Sequence, residues 1–170
     1  MITINSIIGN LKDAEFAEKY EQSLKNNSCE IVKIQRSESQ RVRMRKTSDK
    51  GSDIALTLPQ GVQIRHKDVI LFNSEKMIIV EIEPESVAAI SINEDSAGFN
   101  SIDIPIILGH TIGNLHRPLK IEGRTIYFPI QADTELDMFR RLLVPIIDHV
   151  DINKTWMVFE PEERSHIHEH

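Results

Sequence analysis

Short apolar runs, each closed by a turn signal, follow one another through the first half of the chain. Ile2, Ile4 and Ile7-Ile8 open it as a strand, and Glu30-Ile31-Val32-Lys33-Ile34 reads as another. In Arg41-Val42-Arg43-Met44-Arg45-Lys46-Thr47 charged and apolar residues alternate with period two, as on a strand with one buried face. Asp49-Lys50-Gly51-Ser52-Asp53 is a turn. Ile54-Ala55-Leu56-Thr57-Leu58 follows it and is closed by Pro59-Gln60-Gly61. Val62-Gln63-Ile64, Val69-Ile70-Leu71-Phe72 and Met77-Ile78-Ile79-Val80-Glu81-Ile82 come next in close order. Residues 11–26 differ. They are rich in Asp, Glu and Lys, with Ala14, Phe16, Ala17, Tyr20 and Leu24 at roughly helical spacing, and read as a loop with a short helix. The run of short strands predicts an all-β domain over residues 1–84.

The texture changes at Pro84. Val87-Ala88-Ala89-Ile90-Ser91-Ile92 reads as a strand and residues 93–100 as a polar loop. Residues 101–115 read as a helix with Pro105 in its first turns, where proline is tolerated. Gly109 and Gly113, four apart, share one face of it and allow another backbone to come close. Leu119-Lys120-Ile121, the turn Glu122-Gly123-Arg124 and Thr125-Ile126-Tyr127-Phe128 form a hairpin. Asp133 is placed to cap a second helix with Leu136, Phe139, Leu142 and Leu143 as its apolar stripe. A last strand lies around Thr155-Trp156-Met157-Val158-Phe159. Strand–helix–strand–strand–helix–strand is the ferredoxin-like order, expected over residues 85–160. Pro161 and the charged Glu162-Glu163-Arg164 release a flexible tail, 161–170. The fold class expected is therefore α+β.

Composition narrows the function. At 170 residues the chain is one domain or two small ones, and its 40% hydrophobic content, only 5% aromatic, gives a core of Ile, Leu and Val. A net charge of −6 argues against nucleic acid, whose binding depends on neutralising phosphates, and suits cation traffic. Cys29 is the only cysteine, which excludes an intramolecular disulfide and a Cys-rich zinc site. The first residues carry neither a basic n-region nor a long apolar run, and no stretch approaches about 20 apolar residues. The expectation is a cytoplasmic protein with no membrane partner.

Five of the seven histidines fall in two short segments, 109–118 and 164–170. Imidazole is the commonest protein ligand for borderline metals. His110 lies on the Gly-punctuated helix. His116 follows it, two residues before Pro118, at a helix C-terminus. There it reads either as a ligand or as a capping side chain that complements the helix dipole. His166, His168 and His170 alternate, so an extended chain turns their rings to one side. Two imidazoles at i and i+2 on a mobile tail can close on one ion, with Glu169 and the terminal carboxylate nearby. A solvated tail or an expression-tag remnant is the bland alternative, but Ile167 and Glu169 interrupt what a tag would leave as a pure His run. Arg41, Arg43 and Arg45 make a basic stripe. It is either an RNA or acidic-partner surface or the charged outer face of an edge strand, and it lacks the interleaved aromatics of a stacking platform. His66 and His149 stand alone. Glu83, Glu85, Asp103 and Asp133 are not paired for acid–base work. The sequence shows no phosphate loop, nucleophile elbow or His-Glu-x-x-His motif.

Ile112-Gly113-Asn114-Leu115-His116-Arg117-Pro118-Leu119 resembles the "LGNRHxPl" signature of the urease accessory protein UreE family of nickel metallochaperones. Arg45-x-Thr47, Gly51-x-Asp53, Leu58-Pro59-x-Gly61 and Asp68-Val69-Ile70 are similar to that family's N-terminal β domain. Phe159-Glu160-Pro161-Glu162 is similar to the motif that precedes its histidine-bearing tail. The resemblance spans essentially the whole chain. It implies a β domain for protein contacts, a ferredoxin-like metal-binding domain, and a homodimer with the motif histidine, here His116, at the two-fold interface. It implies Ni(II) as cargo for apo-urease, with Zn(II) or Cu(II) able to occupy the same imidazoles. Urease apoprotein and the other accessory proteins, the GTPase among them, are the implied partners, and the chain is not an enzyme. The metal residues expected are His116, His166, His168, His170 and His110. Leu115 replaces the motif arginine, Thr111 stands where many relatives have a histidine, and Gln131-Ala132-Asp133 stands where some carry more. The rival readings are an RNA- or ribosome-associated module using Arg41, Arg43 and Arg45, and a metal-dependent hydrolase using His116 and Asp103.

Overall fold

The computed structural model describes residues 1–93 and 102–161. Contacts divide the chain into two compact units, with the boundary between Glu83 and Pro84.

The first unit holds β1 (Ile2–Ile4), β2 (Gly9–Asn10), α1 (Ala14–Lys25), β3 (Cys29–Ile34), a 3-10 turn at Arg36–Glu38, β4 (Arg43–Thr47), β5 (Asp53–Thr57), β6 (Asp68–Phe72) and β7 (Met77–Ile82). They form two sheets, ordered β1-β5-β4 and β2-β6-β7-β3. In the first, β1 runs parallel and β4 antiparallel to β5. On β4 the alternation seen in the sequence holds, with Met44 buried between exposed Arg43 and Arg45. In the second sheet β7 is central. Met77, Ile78, Ile79 and Val80 are each 0% exposed. A strand covered on both faces has no polar side, so it reads as an unbroken apolar run.

Two expectations for this unit need correction. It is not all-β: residues 14–25 form a full helix. Phe16 and Tyr20, four apart on one face, pack against the cluster of Cys29, Val69, Met77 and Ile79. Burial of that stripe against a sheet stabilises a helix whose other positions are charged. Val62-Gln63-Ile64 is not a strand. Ile64 is buried as a loop anchor, with its N–H donating to Ser39 O at 2.9 Å. Three residues carry too little periodicity to tell a buried loop from a strand.

The second unit holds β8 (Glu85–Ile92), α2 (Asp103–Gly113), β9 (Lys120–Glu122), β10 (Thr125–Pro129), α3 (Thr134–Leu142), a 3-10 segment at Val144–His149 and β11 (Val150–Met157). The sheet order is β11-β8-β10-β9, every neighbouring pair antiparallel. Ile104, Leu108 and Ile112 of α2 and Leu136 and Phe139 of α3 pack on Ala88, Ile90, Phe128, Ile130, Val150 and Ile152. The Phe128 and Phe139 rings meet at 4.6 Å between centroids, tilted by 60°. These contacts turn one side of each helix to the sheet. Leu142, expected in the stripe, is 45% exposed, because α3 ends there and Leu143 takes the buried position. Asp133 holds the N-cap position without capping. Its carboxylate accepts from Lys154 Nζ at 2.6 Å, and the N–H groups of Gln131 and Ala132 go instead to Glu135 Oε1.

Candidate metal-binding site at the end of α2

The buried residues of α2 recur every fourth position, at 104, 108 and 112. That spacing fixes the opposite side as the outer one. Ile106, 60% exposed, lies there with exposed Gly109, His110 and Gly113. A Cβ added at Gly109 or Gly113 would meet nothing within 4 Å. The two glycines therefore serve no close packing inside this chain.

Past Gly113 the helix closes on its own backbone. Leu115 N–H donates to Ile112 O at 3.0 Å, and His116 N–H donates to Gly113 O at 3.1 Å. His116 has φ of +48°. This left-handed conformation is unfavourable for a residue with a Cβ. It ends the helix where glycine usually stands and leaves the imidazole exposed. His110 is exposed one turn before the helix end. Asn114 Nδ2 lies 3.5 Å from both of its ring nitrogens, at the outer limit of hydrogen bonding.

Arg117 turns inward beside His116. Its Nη1 donates to Pro129 O at 3.1 Å, its Nη2 pairs with Glu135 Oε2, and its guanidinium carbon stands 5.8 Å from the Phe139 ring centroid. Burial pushes the Glu135 carboxyl up, but hydrogen bonds from Gln131, Arg117 and Ala132 outweigh it and hold the group below the usual carboxylate range. The sequence reading missed both residues. Nothing in the chain marks an arginine and a glutamate eighteen positions apart as partners until the fold joins them.

The other sequence-derived positions separate. His166, His168 and His170 lie outside the described residues. Among the described residues no three His, Cys, Asp or Glu side chains gather as a metal site. Asp103 begins α2 and His116 lies beyond its other end, so the rise of the helix itself, roughly 15 Å, already stands between them, and they do not share a hydrolase metal. Arg41 pairs with Glu38 at 3.3 Å. Arg45 makes a two-pronged pair with Asp53 at 2.8 and 2.9 Å. Much of the basic stripe is thus already neutralised. Cys29 is buried, and burial pushes its thiol up from the ordinary value, which suits packing rather than reactivity. A polar recess of about 420 Å³ in the first unit is lined by Asn26, Asn27, Ser28, Glu30, Lys50, Glu75 and Lys76. Its lysines are engaged, Lys50 with Asn27 O and Oδ1 and Lys76 with Glu30.

Residues 4–83 match the sequence profile of the UreE urease accessory protein N-terminal domain. Urease accessory protein UreE 1 of Pseudomonas syringae pv. tomato is 25% identical over 148 residues, 87% of this chain and 96% of the relative. The chain is thus similar to UreE urease accessory proteins, by profile over its first unit and by alignment over most of its length. Urease accessory protein UreE of Natronomonas pharaonis is 28% identical over 134 residues, 78% of this chain. That of Yersinia intermedia is 26% identical over 140 residues, 80% of this chain. Against these last two the chain spans about three fifths of the relative's length, 61% in each case. Each of these relatives is named as a urease accessory protein. No described helix is long and apolar enough to cross a membrane.

Proposed function

We propose that this chain is a UreE-family nickel metallochaperone that delivers Ni(II) to apo-urease and holds the ion between two copies of itself. His116 is the central ligand, His110 on α2 is a further one, and His166, His168 and His170 form the collecting tail. The observation that carries the reading is His116 itself: an exposed imidazole held left-handed at the end of α2, next to an outer helix face with two open glycines. One imidazole per chain is a poor site, and a two-fold axis doubles it without a second ligand residue. Exposed ligands exchange readily, which suits cargo. Zn(II) and Cu(II) compete for the same imidazoles. The sheet order β11-β8-β10-β9 supports a ferredoxin-like metal domain, and the first unit, with one half-buried histidine, is left for contacts with urease and its accessory proteins, the GTPase included. All of this belongs to the cytoplasm.

Nickel titration by calorimetry, on the full chain and on one lacking residues 166–170, tests the proposal. Removal of the tail is expected to lower capacity and leave one nickel per two chains. The metal-free melting temperature should stay unchanged within about 2 °C, since the deleted segment has a single apolar residue, Ile167, to offer a core. A tail-deleted protein that binds no nickel overturns the assignment of His116.

The glycine face makes a second test. Alanine at Gly109 and Gly113 meets no neighbour within the chain, so on helix propensity alone each change stabilises by up to about 1 kcal/mol. With a second copy packed on that face, the double variant instead weakens the dimer by at least about tenfold, measured by sizing with light scattering over a dilution series. A tighter or unchanged dimer moves the interface elsewhere.

A further inference from the structure

We propose that Arg117 and Glu135 are positioning residues that hold the His116 turn and keep a cation away from the metal. The inference rests on the reading of His116 as a ligand. Its basis is a convergence of three segments on one ion pair. Arg117 follows His116 directly, its guanidinium bonds the carbonyl at the end of β10, and Glu135 lies in the first turn of α3. Glu135 is itself fixed by the N–H groups of Gln131 and Ala132. The two side chains are 28% and 17% exposed, so the pair is only partly open to solvent.

The pair does two things. A left-handed residue with a Cβ persists only where its surroundings over-determine it. The helix-end hydrogen bonds hold His116 from one side, and the anchored Arg117 holds it from the other. The second effect is electrostatic. A guanidinium next to a ligand for a divalent cation repels that ion unless its charge is compensated. Glu135 compensates it and draws it over Phe139, so the imidazole is presented without an opposing charge.

The two effects separate experimentally. In the metal-free protein, Arg117→Gln and Glu135→Gln are each expected to speed amide exchange at Leu115 and His116 by about tenfold, with Leu108 unchanged. Nickel affinity, measured while the protein remains folded, is expected to fall about tenfold in Glu135→Gln, which leaves the guanidinium free beside the ion. The double variant Arg117→Gln/Glu135→Gln is expected to recover part of that loss, although it removes a further hydrogen bond. A purely structural role makes the double variant no better than Glu135→Gln, and that result overturns the electrostatic half. Unchanged exchange at Leu115 and His116 in both single variants overturns the clamp. If nickel binding to the parent protein proves independent of His116, the proposed function fails, and the exchange measurement on metal-free protein still decides whether the pair holds the turn.

Discussion

In the tail-deleted protein, His116→Ala is expected to abolish the proposed nickel site, lowering affinity by at least about 100-fold, because an ion shared on a two-fold axis would lose both imidazoles with one substitution. The fold does not suffer. His116 is exposed, and its backbone bonds to Gly113 do not involve the side chain. His116→Gly sharpens the result. At φ of +48° a residue without a Cβ relieves strain, so the glycine variant should be more stable than the parent by roughly 0.5–1 kcal/mol and equally unable to bind. Loss of binding with a gain in stability separates a ligand from a helix cap. Calorimetry gives the stoichiometry, and urea unfolding of metal-free protein gives the stability. One nickel per chain, undiminished in either variant, defeats the shared-site proposal.

Glu30→Gln should cost the first unit about 3 kcal/mol at neutral pH. Glu30 is 7% exposed. Its Oε1 accepts from Lys76 Nζ at 2.7 Å and its Oε2 from Ser48 Oγ at 2.5 Å. Burial alone would raise its carboxyl, but bonds from Lys76, Ser48 and Ser52 outweigh burial and bring it from 4.5 to about 2. The unfolded chain therefore takes up this proton before the folded one. The stabilisation is complete above about pH 4.5 and disappears as pH falls towards 2. The difference between 4.5 and about 2 corresponds to about 3 kcal/mol. The variant also leaves the Lys76 ammonium without its carboxylate. Trp156, the only tryptophan, lies on β11 of the second unit, so its fluorescence does not isolate the first. Amide exchange on β3 and β7 between pH 7 and 3 does. The parent and variant stabilities should converge as the pH drops, and parallel profiles would falsify the assignment.

Much of the layout was legible in local pattern. Period-two alternation located β4, because Met44 points inward between two arginines. The apolar run at 77–82 located β7, and the fold showed Met77 to Val80 buried on both faces. Turn chemistry at Gly51 and Gly123, both with positive φ, placed two hairpin bends. Residues 14–25 were less legible, because the helix depends on a sheet surface for Phe16 and Tyr20 that local sequence cannot display. The capping role expected of Asp133 failed for a similar reason: Lys154, distant in sequence, competes for its carboxylate.

Local sequence carried the resemblance to UreE proteins, through motifs in register along the chain, and singled out His116 as the candidate ligand. A ligand type and its spacing from a glycine and a proline are local properties, and they survive in one dimension. Tertiary structure decided how that histidine is held. The left-handed turn, the open outer face of α2 and the Arg117–Glu135 pair all depend on packing α2, β10 and α3 around one core. It also decided that Arg41 and Arg45 are already paired, which reduces the basic stripe to less than its composition suggests. Charge is counted along a chain, but whether a charge is free depends on which opposite charge the fold brings within reach.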